Sequence, residues 1–193
     1  HAFMKDFLEA SFTGRLLSYS PGTGTTTVRM DGLFFANGVA LGPDERFVLV
    51  SETGTGRIHR LWLKSDKAGQ RDVFHDGLPG NPDNLSFNGT DTFWIAMPGV
   101  RDPAIERSAD SLFIRKLLGG LPDSALALPS STALVAGLGV DGAVVHVLYA
   151  DPAPVSGITS INQFGDRLVM GSLTARHVMS VPVPPPANQE RFP

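Results

Sequence analysis

Apolar and polar positions along this chain recur as a phrase. Ala36-Asn37-Gly38-Val39-Ala40-Leu41 runs into the apolar block Phe47-Val48-Leu49-Val50, and Pro82-Asp83-Asn84-Leu85-Ser86-Phe87 runs into Phe93-Trp94-Ile95-Ala96. Each copy predicts a strand, a tight turn and a second strand. The turns, Gly42-Pro43-Asp44-Glu45 and Asn88-Gly89-Thr90-Asp91, carry the Gly, Pro, Asn and Asp that hairpins need. Asn37 and Asp83 take equivalent places, 46 residues apart. A fainter third copy, Ile158-Thr159-Ser160-Ile161 followed by Arg167-Leu168-Val169-Met170, puts Thr159 in the same place, 76 residues after Asp83. Removing an insertion of roughly 30 residues between Arg101 and Ser130 restores the period to about 46, within the range of a β-propeller blade.

Alternation and turn signals place strands near Gly14–Tyr19 and Thr25–Arg29, the outer pair of a blade. Four follow at Asn37–Leu41, Phe47–Ser51, Arg57–Leu63 and Arg71–His75. The next blade has Asp83–Phe87, Thr92–Met97, Ala133–Leu138 and Ala143–Tyr149, and the last has Gly157–Asn162, Arg167–Ser172 and His177–Val183. The expected fold is all-β: a partial propeller domain over residues 1–183, with half a blade in 1–30, full blades in 31–80 and 81–150, and a last blade in 151–183 lacking its closing strand. A proline-rich tail follows in 184–193. If the ring has six four-stranded blades, the segment is its C-terminal half to two-thirds. Between 102 and 120, Ile105, Leu112, Phe113, Lys116 and Leu117 recur at helical steps before Gly119-Gly120, which predicts a short amphipathic helix, either a packing element or a lid.

Composition narrows the classes. With 193 residues, 42% of them hydrophobic, a sizeable core is within reach. The net charge of −3 comes with no basic cluster, so nucleic acid is not an expected partner. No apolar run approaches the ~20 residues of a membrane span. The absence of cysteine excludes disulfides and thiolate metal sites and leaves the compartment open.

The innermost strands of a propeller line a central channel, so Asn37, Asp83 and Thr159, which open successive inner strands, should converge at one mouth of it. Carboxylate and carboxamide oxygens from different blades suit a hard cation such as Ca²⁺, with Asn84 adding one more oxygen. The same residues also cap turns before strands. Oxygen-rich sites accept Mg²⁺ or Mn²⁺ as well. His59, His75 and His146 fall on middle or outer strands and read as packing or surface residues, as does His177. The acceptor patterns Asn84-Leu85-Ser86 and Asn88-Gly89-Thr90 arise readily by chance.

Phe35-Ala36-Asn37-Gly38-Val39-Ala40-Leu41, Ser51-Glu52-Thr53, Arg57-Ile58-His59-Arg60-Leu61-Trp62-Leu63-Lys64, Lys67-Ala68-Gly69 and Leu78-Pro79-Gly80-Asn81-Pro82-Asp83-Asn84, in this order, resemble the strictosidine synthase-like family. Gly14-Arg15-Leu16-Leu17-Ser18-Tyr19 before them, with Ile158-Thr159-Ser160 and Gly171-Ser172-Leu173 after, carry the resemblance over nearly the whole chain. That family is similar to the paraoxonases and the gluconolactonase/regucalcin group, six-bladed propellers among which many members hydrolyse lactones or aryl esters with a divalent cation in the channel. The resemblance implies metal-ligand roles for Asn37, Asp83 and Asn84, with a glutamate and an asparagine from earlier blades completing the set. It also exposes a departure. Where the plant synthase carries a catalytic glutamate at the start of its last blade, this chain has Thr159, which does no acid–base work near neutral pH.

The expected function is therefore metal-dependent hydrolysis of a carboxylic ester, a lactone or an aryl ester, with Ca²⁺ as cofactor and a small molecule as partner. Asn37, Asp83 and Asn84 would be ligands, Asp83 would also orient the attacking water, and Thr159 would line the channel. The rival readings are a non-catalytic binding propeller with a structural metal, and a carbon–nitrogen-forming synthase, against which Thr159 speaks.

Overall fold

The structure, a computed structural model, describes residues 11–101 and 131–185. Thirteen strands are seen among them: β1 (Gly14–Ser20), β2 (Thr25–Leu33), β3 (Ala36–Leu41), β4 (Phe47–Glu52), β5 (Arg57–Trp62), β6 (Arg71–His75), β7 (Leu85–Phe87), β8 (Thr92–Met97), β9 (Ala133–Gly139), β10 (Val144–Ala150), β11 (Ile158–Phe164), β12 (Arg167–Ser172) and β13 (Met179–Pro182). They form four antiparallel sheets in chain order, β1-β2, β3-β4-β5-β6, β7-β8-β9-β10 and β11-β12-β13. Most successive strands pair across short turns, the Gly42–Glu45 turn closing with a 3-10 turn at Pro43–Glu45, whereas β8 and β9 pair across the long insertion that follows Arg101. The expected all-β propeller architecture is the one observed. The helix expected near 102–120 and most of the tail beyond Pro185 lie outside the described residues.

The sheets stack face to face, and a core fills each gap. Met30, Leu33, Val48, Val50 and Leu61 join the first sheet to the second. Phe47, Leu49, Phe74, Phe93, Ile95 and Leu138 join the second to the third, and Trp94, Ala96, Ile158, Ile161 and Leu168 join the third to the fourth. Hence every residue of β4 and of β8 is buried. A strand covered on both faces has no solvent side, so its apolar residues run on without alternation. Each large apolar side chain so buried, such as Leu49 or Ile95, contributes roughly 1.5–3 kcal/mol, and further contacts supplement the cores. His75 Nδ1 meets the carbonyl of Gly142 at 2.9 Å, and His146 stacks on Trp94 with ring centroids 5.0 Å apart.

Several expected strands have shifted boundaries: β2 runs past Arg29 to Leu33, β13 covers Met179–Pro182 rather than His177–Val183, and the shift of β7 bears on the site. The strand placed at Asp83–Phe87 begins at Leu85, leaving Asp83 and Asn84 in the segment before it. The cause is a change of partner. Asp83 N–H still bonds Ala96 of the adjacent strand, but Asn84 N–H turns to the carbonyl of Thr159 in the next sheet, at 3.2 Å. The first strands β3, β7 and β11 of the last three sheets consequently lie side by side, with their N-terminal ends together.

Candidate functional site

Four residues singled out from the sequence meet at these N-terminal ends, three of them through their side chains. Asn37, on β3, donates from Nδ2 to Thr53 Oγ1 at 3.3 Å and also to the carboxylate of Asp83. Asn84 donates from Nδ2 to the Thr159 carbonyl at 2.8 Å and to Asp83 Oδ1 at 3.2 Å. Thr159 thus enters the cluster through its main chain, and its half-buried side chain makes none of these bonds. Asp83 is half-buried at the centre, while Asn84 is exposed.

The segment bearing Asp83 is pinned from β4. Ser51 Oγ donates to the Asp83 carbonyl at 2.6 Å and accepts the Gly38 N–H at 2.6 Å. Thr53 Oγ1 donates to the Pro82 carbonyl at 2.6 Å. Ser51 and Thr53 are both buried. Position 38 requires glycine for this approach, because a Cβ there would stand 2.6 Å from both Asn84 Cα and Leu85 N. The sequence of Ser51-Glu52-Thr53 by itself points to no role. Its available signal was three polar residues in succession ending an otherwise apolar strand.

Glu52 faces the other way, into the first interface. Its carboxylate accepts the Phe34 N–H at 2.7 Å, the Thr55 hydroxyl and His59 Nε2 at 2.8 Å. Burial pushes this carboxyl up, but the donors from His59, Thr55 and Phe34 outweigh it, and its pKa falls from 4.5 to about 2. Glu52 therefore holds the turn that delivers Phe35, which has a φ of 56°, into Asn37. Asp83 behaves in the opposite manner. Burial raises its pKa above the usual 3.8, and hydrogen bonds from Asn37 and the Asn84 backbone only partly offset the rise.

These observations test the cluster as a cation site. Nδ2 of Asn37 is engaged by Thr53 and Asp83 and Nδ2 of Asn84 by Thr159 and Asp83, while neither Oδ1 has a hydrogen-bond partner among the described residues. Two amide oxygens with no partner among the described residues thus accompany a carboxylate whose charged form burial disfavours. That donor set fits a hard divalent cation. Among the described residues there is no group of three or more His, Cys, Asp or Glu, so the cluster's oxygens come mainly from amides. A groove of about 620 Å³ between the opposite ends of β3, β7 and β11, lined by Val39, Leu41, Glu45, Ser86 and Asn162 among others, includes none of the four residues.

Comparison with known proteins gives the kinship. The family model described as strictosidine synthase matches residues 1–66. Strictosidine synthase-like protein 13 of Arabidopsis thaliana is 33% identical over 187 residues, covering 94% of this chain and 44% of the relative. The chain is strictosidine synthase-like in sequence. An adipocyte plasma membrane-associated protein of Danio rerio is likewise 33% identical over 183 residues, covering 91% of this chain and 44% of its own length. The chain spans less than half the length of these relatives. Among solved structures, a gluconolactonase from Xanthomonas campestris superposes with a TM-score of 0.57 at 18% identity, over 88% of this chain and 44% of its own. A calcium-binding regucalcin from Agrobacterium tumefaciens gives 0.54 at 16% identity, over 83% and 44%. At such identities these structures establish the propeller fold.

Proposed function

We propose that the full-length protein hydrolyses a carboxylic ester, a lactone or an aryl ester, at a divalent-cation site to which this chain contributes Asn37, Asp83 and Asn84. The observation that carries the reading is that the amides of Asn37 and Asn84 both reach the desolvated Asp83 carboxylate while neither Oδ1 has a hydrogen-bond partner among the described residues. The likeness to a gluconolactonase and a calcium-binding regucalcin supports Ca²⁺ and a lactone-type substrate. A bound cation would polarise the ester carbonyl and stabilise the oxyanion that forms on it. Asp83, held by both asparagines, would accept a hydrogen bond from the attacking water. Thr159 supplies a main-chain acceptor that aims Asn84, and its hydroxyl transfers no proton at neutral pH.

A second reading has its own support. The cluster fastens three sheets to one another, which is what a structural cation in a non-catalytic binding propeller would reinforce. One experiment decides between them. Hydrolysis of phenyl acetate and of a γ-lactone by the full-length protein should vanish with EDTA and return with Ca²⁺. Folded, Ca²⁺-loaded protein inactive on every ester and lactone tried supports the structural reading, and activity persisting in excess chelator removes the metal from both.

A further inference from the structure

The buried hydroxyls of Ser51, on β4, and of Thr53, just past its end, bear on how the cluster presents its oxygens. A threonine hydroxyl has a single proton, and that of Thr53 goes to the Pro82 carbonyl, 2.6 Å away, an atom that can only accept. Towards Asn37 the same oxygen offers lone pairs alone. An Asn37 amide turned the other way would set Oδ1 against an acceptor, so Nδ2 must face Thr53 and Oδ1 must face away from it. We infer that Thr53 is a positioning residue: together with the Asp83 carboxylate, which accepts from the same Nδ2, its hydroxyl holds the orientation in which Asn37 presents Oδ1 to the cation.

Ser51 does the corresponding work on the main chain. Two residues earlier on β4, and therefore on the same face of the strand, it gives its proton to the Asp83 carbonyl and takes the Gly38 N–H. The two hydroxyls thereby hold β3 and the Pro82–Asp83 segment at a set separation and orient the side chain that crosses the gap. Ser51 is wholly inaccessible and Thr53 is 9% exposed, so water does not readily take their place. Neither residue is offered as a ligand. Their partners are already assigned, and they act through Asn37 and Asp83.

The inference rests on the cation reading above, and its test keeps the two apart. Ca²⁺ affinity of the full-length protein is measured by titration calorimetry for the wild type, Thr53→Val, Thr53→Ser, Asn37→Ala and the Thr53→Val/Asn37→Ala double variant. Thermal unfolding of each in EDTA runs alongside. Loss of an orienting partner typically weakens metal binding about 10–100-fold. Thr53→Val should fall in that range, Thr53→Ser should stay within about threefold of wild type because it keeps the hydroxyl, and Thr53→Val should add no further loss once Asn37 is alanine. A purely structural role for Thr53 would lower the cation-free melting temperature and leave affinity unchanged, or would lower affinity equally with and without Asn37; either result overturns the inference while leaving the site standing. A wild type that takes up no Ca²⁺, or an Asn37→Ala variant that binds as the wild type does, overturns the site and the inference together. Should Thr53→Val not fold, a high-resolution crystal structure of the Ca²⁺-loaded wild type decides. Asn37 Oδ1 on the ion with Nδ2 on Thr53 supports the inference, and the reverse orientation ends it.

Discussion

The two copies of the repeated phrase make similar hairpins and fasten them by different means. In the first, Asn37 lies inside β3, and the hydroxyls of Ser51 on the following strand and of Thr53 just past its end reach across to the next sheet. In the second, the places 46 residues on are Met97, part of the apolar core, and Gly99, which has no side chain to offer. There Asn84 bridges to Thr159 through its own amide and backbone N–H. Position 38 is glycine, and its counterpart is Asn84, the residue whose Cα a Cβ at 38 would strike. The copies have diverged where they meet. One has given up a side chain to let the other approach, and the link between sheets has passed from β4 hydroxyls to a carboxamide.

The contrast can be broken at Gly38. Gly38→Ala should destabilise the full-length protein by about 3 kcal/mol in urea unfolding, because the clash is with backbone rather than with a movable side chain. Stability within about 0.5 kcal/mol of wild type would show that the sheets can part without cost. Next in size is Glu52→Gln, which removes a buried charge from three donors and should cost about 2 kcal/mol. The wild type carries the matching pH signature. The Glu52 pKa is lowered on folding, so its contribution is present in full above about 4.5 and fades as pH falls toward about 2. Acid unfolding should therefore be steeper for the wild type than for Glu52→Gln, and parallel curves would refute this account of the carboxylate.

Asp83 has the opposite sign. Its raised pKa means that ionising it costs the cation-free fold stability, a cost that sets in as pH rises from the unfolded value near 3.8 through the raised folded value. Asp83→Asn should raise the neutral-pH melting temperature in EDTA by about a degree or two, while removing the additional stabilisation that Ca²⁺ gives the wild type. A variant less stable in EDTA than the wild type would show that the charge is already compensated. The smallest effect belongs to Thr159→Ala, expected to change stability by less than about 0.5 kcal/mol, since the bonds to Asn84 use the carbonyl. The variant Thr159→Glu should create no condensation of an amine with an aldehyde, because substrate placement draws on more than one residue.

Most strands lay open in the pattern because their causes are local. Arg71–His75, Thr92–Met97 and Arg167–Ser172 end where expected, bounded by turn residues that the backbone needs within a few positions. The strand expected from Asp83 misses by two residues for a non-local reason, the capture of Asn84 by Thr159. The repeat also marked Asn37, Asp83 and Thr159 as equivalent, since a recurring unit places equivalent residues at equivalent points of each sheet. Equivalence of place did not reveal unequal use: Asn37 and Asn84 offer side-chain oxygens, whereas Thr159 takes part through a carbonyl that any residue would supply.

Local chemistry along the chain thus determined the strands, their turns and the register of the repeat, because hydrophobic period and turn geometry act over a few residues. Stacking of the sheets decided the rest. The Ser51 and Thr53 hydroxyls find carbonyls about 30 positions away, Glu52 finds a loop on the preceding sheet, and the orientation of the Asn37 amide follows from where a single threonine proton is spent and from the Asp83 carboxylate. A hydrogen bond depends on distance and angle in space, and sequence separation carries neither.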